Sequence, residues 1–228
     1  PSRFFAQLVV SSIVIVLASF VMLRVEAEQK VGLNAAPVAE KLEVYRSSQP
    51  YDIQLNEKWP VWGNPQAKIV IIKFADFQCP ACASAQPVGK RIIEDYTGKV
   101  YFQFRHYPLP QHRNAKLSAY VAEAAGVQGK FWEMHDMLYE NQDEWGESNK
   151  PMEFFESYAT KLKLDIEKLK EQIKKEDISK KIDRDIQDGG VAGVNSTPTF
   201  FVNGIQFRGV PQYADLQKLL PEAEVYYK

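Results

Sequence analysis

The chain opens on an apolar block. Phe4 to Leu23 holds no charged residue, and its 20 residues at about 1.5 Å each match a bilayer core of about 30 Å. It reads as a transmembrane anchor over residues 1–24. The competing reading is a cleaved secretory signal with Val25-Glu26-Ala27 as its site, but the apolar run exceeds the usual h-region of about 7–15 residues. Arg3 on one side and Arg24 with Lys30 on the other leave orientation open on charge alone. Residues 25–58 carry scattered apolar positions, Pro37, Pro50 and a Ser47-Ser48 pair without a sustained period, which suits a linker.

From residue 59 to 228 the pattern is that of a folded domain. Ile69–Phe74 is a continuous β-branched run, expected to be a buried strand, and it leads into the predicted start of a helix at Pro80. That helix's apolar face continues past Pro87, where a kink is expected, through Val88, Ile92 and Ile93. Lys99–Arg105 reads as a second strand with Val100, Phe102 and Phe104 on one face, ended by Pro108 and Pro110. From about 112 to 190 the periodicity is helical, as in Leu117, Val121, Ala124 and Ala125 or Ile178, Ile182 and Ile186, and Gly189-Gly190 is expected to close it. Thr199–Val202, Asn203-Gly204 and Ile205–Arg208 form a predicted hairpin with a type I′ turn, followed by a helix from near Gln212. The fold class is therefore α/β, with an inserted all-helical subdomain and no internal repeat.

Composition changes this picture little. With 45% hydrophobic and 25% charged residues and a net charge of −1, the chain offers no electrostatic argument for nucleic acid as a partner. The charges between Lys161 and Asp188 alternate in sign, as on a solvated helix face.

The two cysteines change it decisively. Cys79 and Cys82 are the whole complement, and random placement would give that spacing roughly once in a hundred chains. One helical turn brings both sulfurs within disulfide reach and leaves the first beside the helix's orphan N–H groups, which favour a thiolate. Cys79 is the expected nucleophile and Cys82 the resolving thiol. A purely structural disulfide would close a loop too short to remove much chain entropy. A metal site needs about four ligands; no second cysteine pair exists, so none is expected. Of the histidines, His135 reads as a packed helical residue, while His106 and His112 flank a proline-rich turn.

Phe74-Ala-Asp-Phe-Gln-Cys79-Pro-Ala-Cys82, Gly129-Lys-Phe-Trp-Glu-Met-His135 and Ser196-Thr-Pro-Thr-Phe-Phe-Val-Asn-Gly204, in that order, resemble the DsbA-like branch of the thioredoxin superfamily. The resemblance implies a thioredoxin fold from about Ile69 onward and a cis Pro198 beside the cysteines. It also implies substrate contacts at Thr197, through its backbone, and at Pro80 and Ala81. Two departures stand out. Pro80-Ala81 lacks the histidine of the best-known oxidants, and Lys73 stands where many relatives carry a buried acid. Lys73 is a candidate for tuning the Cys79 thiolate or relaying a proton for Cys82; the alternative is a stem that snorkels to the surface.

The function this implies is introduction of disulfides into secreted or membrane proteins through a mixed disulfide on Cys79. No cofactor is required beyond the Cys79–Cys82 disulfide. The compartment is extracytoplasmic, where thiols are not kept reduced. The implied partners are cysteine-containing proteins and a membrane quinone-linked reoxidant of DsbB or vitamin K epoxide reductase-like type, within a possible membrane complex. The alternatives are a reductase or isomerase, and an accessory assembly subunit in which the cysteines are incidental.

Overall fold

The structure is a computed structural model that describes residues 60–223. The anchor expected over 1–24 and the linker over 25–58 lie outside the described residues. Among the described residues, no helix is long and apolar enough to cross a membrane.

A mixed five-stranded sheet organises the domain in the order β1-β3-β2-β4-β5: β1 Val61–Gly63, β2 Ile69–Ala75, β3 Val100–His106, β4 Thr199–Val202 and β5 Ile205–Arg208. β2 and β3 are parallel, joined by helix α1, Pro80–Asp95, while β1, β4 and β5 each pair antiparallel with a neighbour. Six described helices separate β3 from β4: α2 Ala115–Gly126, α3 Phe131–Glu140, α4 Gln142–Trp145, α5 Pro151–Lys161, α6 Ile166–Gln172 and α7 Glu176–Val191. Helix α8, Tyr213–Ala223, follows the hairpin.

The hairpin has the expected turn, with Asn203 at φ 45° and Gly204 at φ 82°. β3 is buried at all seven positions, not only on the face of Val100, Phe102 and Phe104. α1 runs unbroken through Pro87, whose side chain is exposed. β1 was not anticipated, because three residues are too few to show a period. Gly63 has φ 96°, and a Cβ there would sit 2.3 Å from the Val100 carbonyl oxygen, so the strand can approach β3 only as glycine.

The helical segment ends one residue past Gly189-Gly190, at Val191, close to the expected boundary. Both glycines lie in the last turn of α7, where Gly189 has a packing role as well. A Cβ on Gly189 would meet the Tyr107 ring at 2.8 Å and the Phe74 ring at 3.0 Å. Glycine therefore seats α7 against these two aromatic rings. Gly189→Ala is expected to destabilise the domain by about 1–3 kcal/mol through overpacking, read as a lowered midpoint of denaturant unfolding.

Two buried ionic groups also tie the helices to β3. Arg105 pairs with Asp185, Nε to Oδ1 at 2.5 Å, and with Asp188; the first contact is ionic rather than a well-aligned hydrogen bond. His106 Nε2 lies 2.8 Å from Glu123, which also takes Lys181 at 2.5 Å. Burial pushes the Glu123 carboxyl up, but these two partners hold it below its ordinary value. The main core, which contains both cysteines, is built on Phe77, Phe104, Phe131, Met134, Leu138 and Trp145.

Candidate active site

The cysteines owe their position to a pinned loop. Between β2 and α1, the buried carboxylate of Asp76 accepts from Gln78 N at 2.7 Å, Leu109 N at 2.9 Å and His112 Nδ1 at 2.6 Å. Its carbonyl accepts from Cys79 N at 3.2 Å. Gln78 extends the clamp into the helical segment: its Oε1 accepts from Asn114 N at 2.7 Å and its Nε2 donates to Gly146 O at 2.7 Å. Gln142 Nε2 donates to Phe77 O at 2.6 Å and to Cys79 O at 3.1 Å. The amides of Gln78 and Cys79 and the carbonyls of Asp76, Phe77 and Cys79 are thereby tied down.

Cys79 caps α1 in an extended conformation, with Pro80 next in line and no basic or acidic side chain contributing to the cap. Both cysteines are free thiols, Cys79 7% exposed and Cys82 fully buried. Their environments push them apart. The Cys79 thiol is lowered to about 5, chiefly by a hydrogen bond from Cys82; burial opposes this, while Thr197 and the backbone N–H groups of Cys82 and Ala81 add to it. Burial first, then the hydrogen bond to Cys79, raises the Cys82 thiol well above the ordinary value. Thiolate therefore outnumbers thiol at Cys79 by about a hundredfold at neutral pH, while Cys82 keeps its proton.

Across from Cys79 runs the loop before β4, with a cis Thr197–Pro198 bond. Cys79 Sγ donates to Thr197 O at 3.4 Å. The buried Thr197 hydroxyl has no fixed partner, and it is near enough to donate to the sulfur once that ionises. Pro80 is exposed and Ala81 half-buried at the rim. Of the residues singled out from the sequence, Cys79, Cys82, Pro80, Ala81, Thr197 and Pro198 thus lie around one sulfur.

Lys73 lies beneath them. It is only 2% exposed, so its stem does not snorkel. Its Nζ is 3.5 Å from Cys82 O, and negative charge on either cysteine raises its amine. In turn, its charge pulls the Cys82 thiol down against the effect of burial.

Sequence reasoning missed the scaffold of the site. His112, read as flanking a turn, anchors Asp76, and Tyr139 donates to Asp76 O at 3.4 Å while lying in hydrogen-bond range of Cys82. The one available signal was Asp76 itself, a turn-forming residue between a strand and a helix start. His135 is buried, with Nδ1 2.9 Å from Asp136, in keeping with its reading as a packed residue. Among the described residues, no group of three or more histidine, cysteine or carboxylate side chains is arranged to hold a metal ion.

Known structures share this architecture. A thioredoxin-like oxidoreductase from Silicibacter pomeroyi is 25% identical with a TM-score of 0.65, covering 74% of this chain and 93% of that one. BdbD from Bacillus subtilis is 22% identical with a TM-score of 0.68, covering 79% and 98%. α-DsbA1 from Wolbachia pipientis is 20% identical with a TM-score of 0.68, covering 76% and 94%. Among curated sequences, the Na(+)/H(+) antiporter NhaA 3 of Salinispora tropica is 38% identical over 150 residues, which are 65% of this chain and 22% of that protein. The chain thus spans about a fifth of the length of that relative. The family model described as "Thioredoxin" matches residues 55–222, and the chain belongs to the thioredoxin family.

Proposed function

We propose that this protein is a thiol–disulfide oxidoreductase that oxidises dithiols of extracytoplasmic proteins. The observation that carries the reading is the split between an acidic, rim-placed Cys79 and a buried, proton-retaining Cys82 one turn away. In the oxidising direction a substrate thiolate attacks Cys79 of the disulfide. A substrate–Cys79 bond forms, the Cys79–Cys82 bond breaks, and Cys82 leaves and is protonated. A second substrate thiolate then attacks the substrate sulfur, a substrate disulfide forms, and Cys79 departs as a thiolate. Cys82 is the attacking sulfur only when the mixed disulfide collapses back or the reaction runs toward reduction.

Direction follows from the same acidity. A Cys79 thiolate stabilised in the folded protein favours the reduced form, which makes the disulfide a better oxidant. The similar solved structures include DsbA proteins, one of them a thiol-disulfide exchange protein, which supports the chemistry. Extended substrate would lie along the Thr197–Pro198 loop, with Pro80 and Ala81 at the rim and the inserted helices beside them. The anchor over 1–24, an extracytoplasmic site and a quinone-linked membrane reoxidant of DsbB or vitamin K epoxide reductase-like type complete the proposal. Such tethering would raise the reoxidant's effective concentration.

Alkylation of the reduced protein tests it. The rate at Cys79 is expected to hold above neutral pH and to fall as pH drops through about 5, with a reduction potential nearer −120 than −270 mV on the scale of about −270 to about −120 mV spanned by thioredoxin and DsbA. An alkylation midpoint near that of a free thiol, about 8.5, would remove the basis for oxidation and favour the reductase reading.

A further inference from the structure

Lys73 carries a buried amine without a resident counter-ion. Among the described residues no carboxylate pairs with it, and its Nζ has the Cys82 carbonyl at 3.5 Å, the Tyr139 ring at 5.0 Å and the Phe200 ring at 5.9 Å. In register it lies between Phe104 of β3 and Phe200 of β4, neither of which titrates. α3 presents His135 and Tyr139. Burial lowers His135 to about 4 and raises Tyr139 well above its ordinary value, so both are neutral near pH 7. The nearby carboxylates are committed elsewhere: Asp76 to two backbone amides and His112, Asp136 to His135 and Gln86. α1 presents Cys79 and Cys82, with Lys90 across a small cavity. The anion able to appear beside Lys73 is therefore a cysteine thiolate, and it exists only after the disulfide is reduced.

Resting on the thiol–disulfide reading above, we propose that Lys73 is a redox-linked proton site: its amine takes up a proton when Cys79–Cys82 is reduced and releases it when the disulfide re-forms. The balance closes. Oxidation of a substrate dithiol yields two electrons and two protons; the electrons break the Cys79–Cys82 bond, one proton goes to Cys82 Sγ, and the other goes to Lys73 Nζ. Cys79 stays a thiolate, and the new ammonium neutralises its charge inside the core. Burial pushes the Lys73 amine down, while negative charge on the cysteine pair, held by Cys79 once Cys82 is protonated, pushes it up, which is the required direction of coupling. Lys73 also lines a cavity of about 10 Å³ with Gln86, Lys90 and His135, near the size of a single water. Gln86 and His135 both bond Asp136, whose side chain is 28% exposed, so the cavity offers a proton a polar way out.

The test is the pH dependence of equilibrium between the full chain and glutathione from about pH 6 to about pH 8, where glutathione thiols stay protonated. Two glutathione thiols release two protons, and Cys82 with Lys73 takes up two, so the wild-type equilibrium constant is expected to stay nearly flat. Lys73→Met takes up one, and its constant is expected to rise about tenfold per pH unit, or about 30 mV. Lys73→Arg, charged in both redox states, is expected to rise in the same way. That separates proton uptake from the mere presence of charge, and it keeps the test open if the methionine variant fails to fold. A wild-type constant that already rises tenfold per unit, with Cys79 still titrating near 5, would overturn the proposal and leave the exchange chemistry standing. Flat behaviour in every variant, with Cys79 titrating as an ordinary thiol, would sink both.

Discussion

Replacing Cys79 with serine is expected to abolish thiol–disulfide exchange, a loss of roughly a thousandfold or more, the size seen when a covalent nucleophile is removed. The physical basis is that the polarising groups converge on one sulfur. The Cys82 thiol, the Ala81 and Cys82 amides and Thr197 all act on Cys79, which is the sulfur at the rim. A serine hydroxyl, with a far higher pKa, stays protonated in the same place, and Cys82 has no exposed surface through which to substitute. Cys82→Ser should behave differently. It keeps an accessible thiol at position 79, so a substrate disulfide can still capture it, but the internal sulfur that would release the adduct is gone. A mixed disulfide is expected to accumulate and to be visible by mass spectrometry of the intact protein. Exchange surviving in Cys79→Ser and lost in Cys82→Ser would invert the assignment.

The largest effect on stability is expected away from the cysteines. Arg105→Ala removes a fully buried guanidinium held between Asp185 and Asp188 and packed 5.7 Å from the Phe74 ring. Removing one member of a buried ion pair typically costs about 3–5 kcal/mol, because the other charge is left in a medium that solvates it poorly. The sign of the pH dependence follows from Asp185. Burial raises its carboxyl to about 6, against the lowering effect of Arg105. A native pKa above the unfolded value means that the folded state binds more protons between about 4 and about 6, so this group adds stability as pH falls through that window. Without Arg105 the carboxyl should rise further and take up a proton more readily. The deficit of Arg105→Ala is therefore expected to be largest at neutral pH and to shrink toward about pH 5. Urea unfolding at the two pH values measures it, and a deficit independent of pH would mean that lost packing, rather than an orphaned carboxylate, is the cause.

These two residues mark how differently a site and its scaffold are written into a chain. Cys79, Cys82 and Pro80 were legible because their chemistry is local. A strand ending at Ala75, a proline at a helix start and two thiols one turn apart are short-range facts. The hairpin was legible for the same reason: Asn203-Gly204 adopts the positive φ angles that its turn requires whatever surrounds it. What came from longer range was not visible. Asp76 and His112 are 36 residues apart, Gln78 and Gly146 are 68 apart, and Arg105 meets Asp188 across 83. None of these pairings has a periodicity of its own.

The same divide explains the corrections. Gly189-Gly190 marks the helix end to within one residue, but its local signature does not show that the missing Cβ of Gly189 also seats α7 against Tyr107 and Phe74. Lys73 has a side chain that could equally reach solvent or stay inside, and nothing within a few residues decides between them. The choice is made by α1 and α3, whose Cys82 and Tyr139 close over it once β2 is central in the sheet. By itself the sequence determined the redox pair, the strand that delivers it and the turn of the hairpin, since these depend on neighbours along the chain. Only the tertiary structure decided how far burial and the Thr197 loop separate the two thiols, which histidine would anchor the loop and that a lysine would be buried beneath the sulfurs, since burial and long-range hydrogen bonds arise only when distant segments exclude water together.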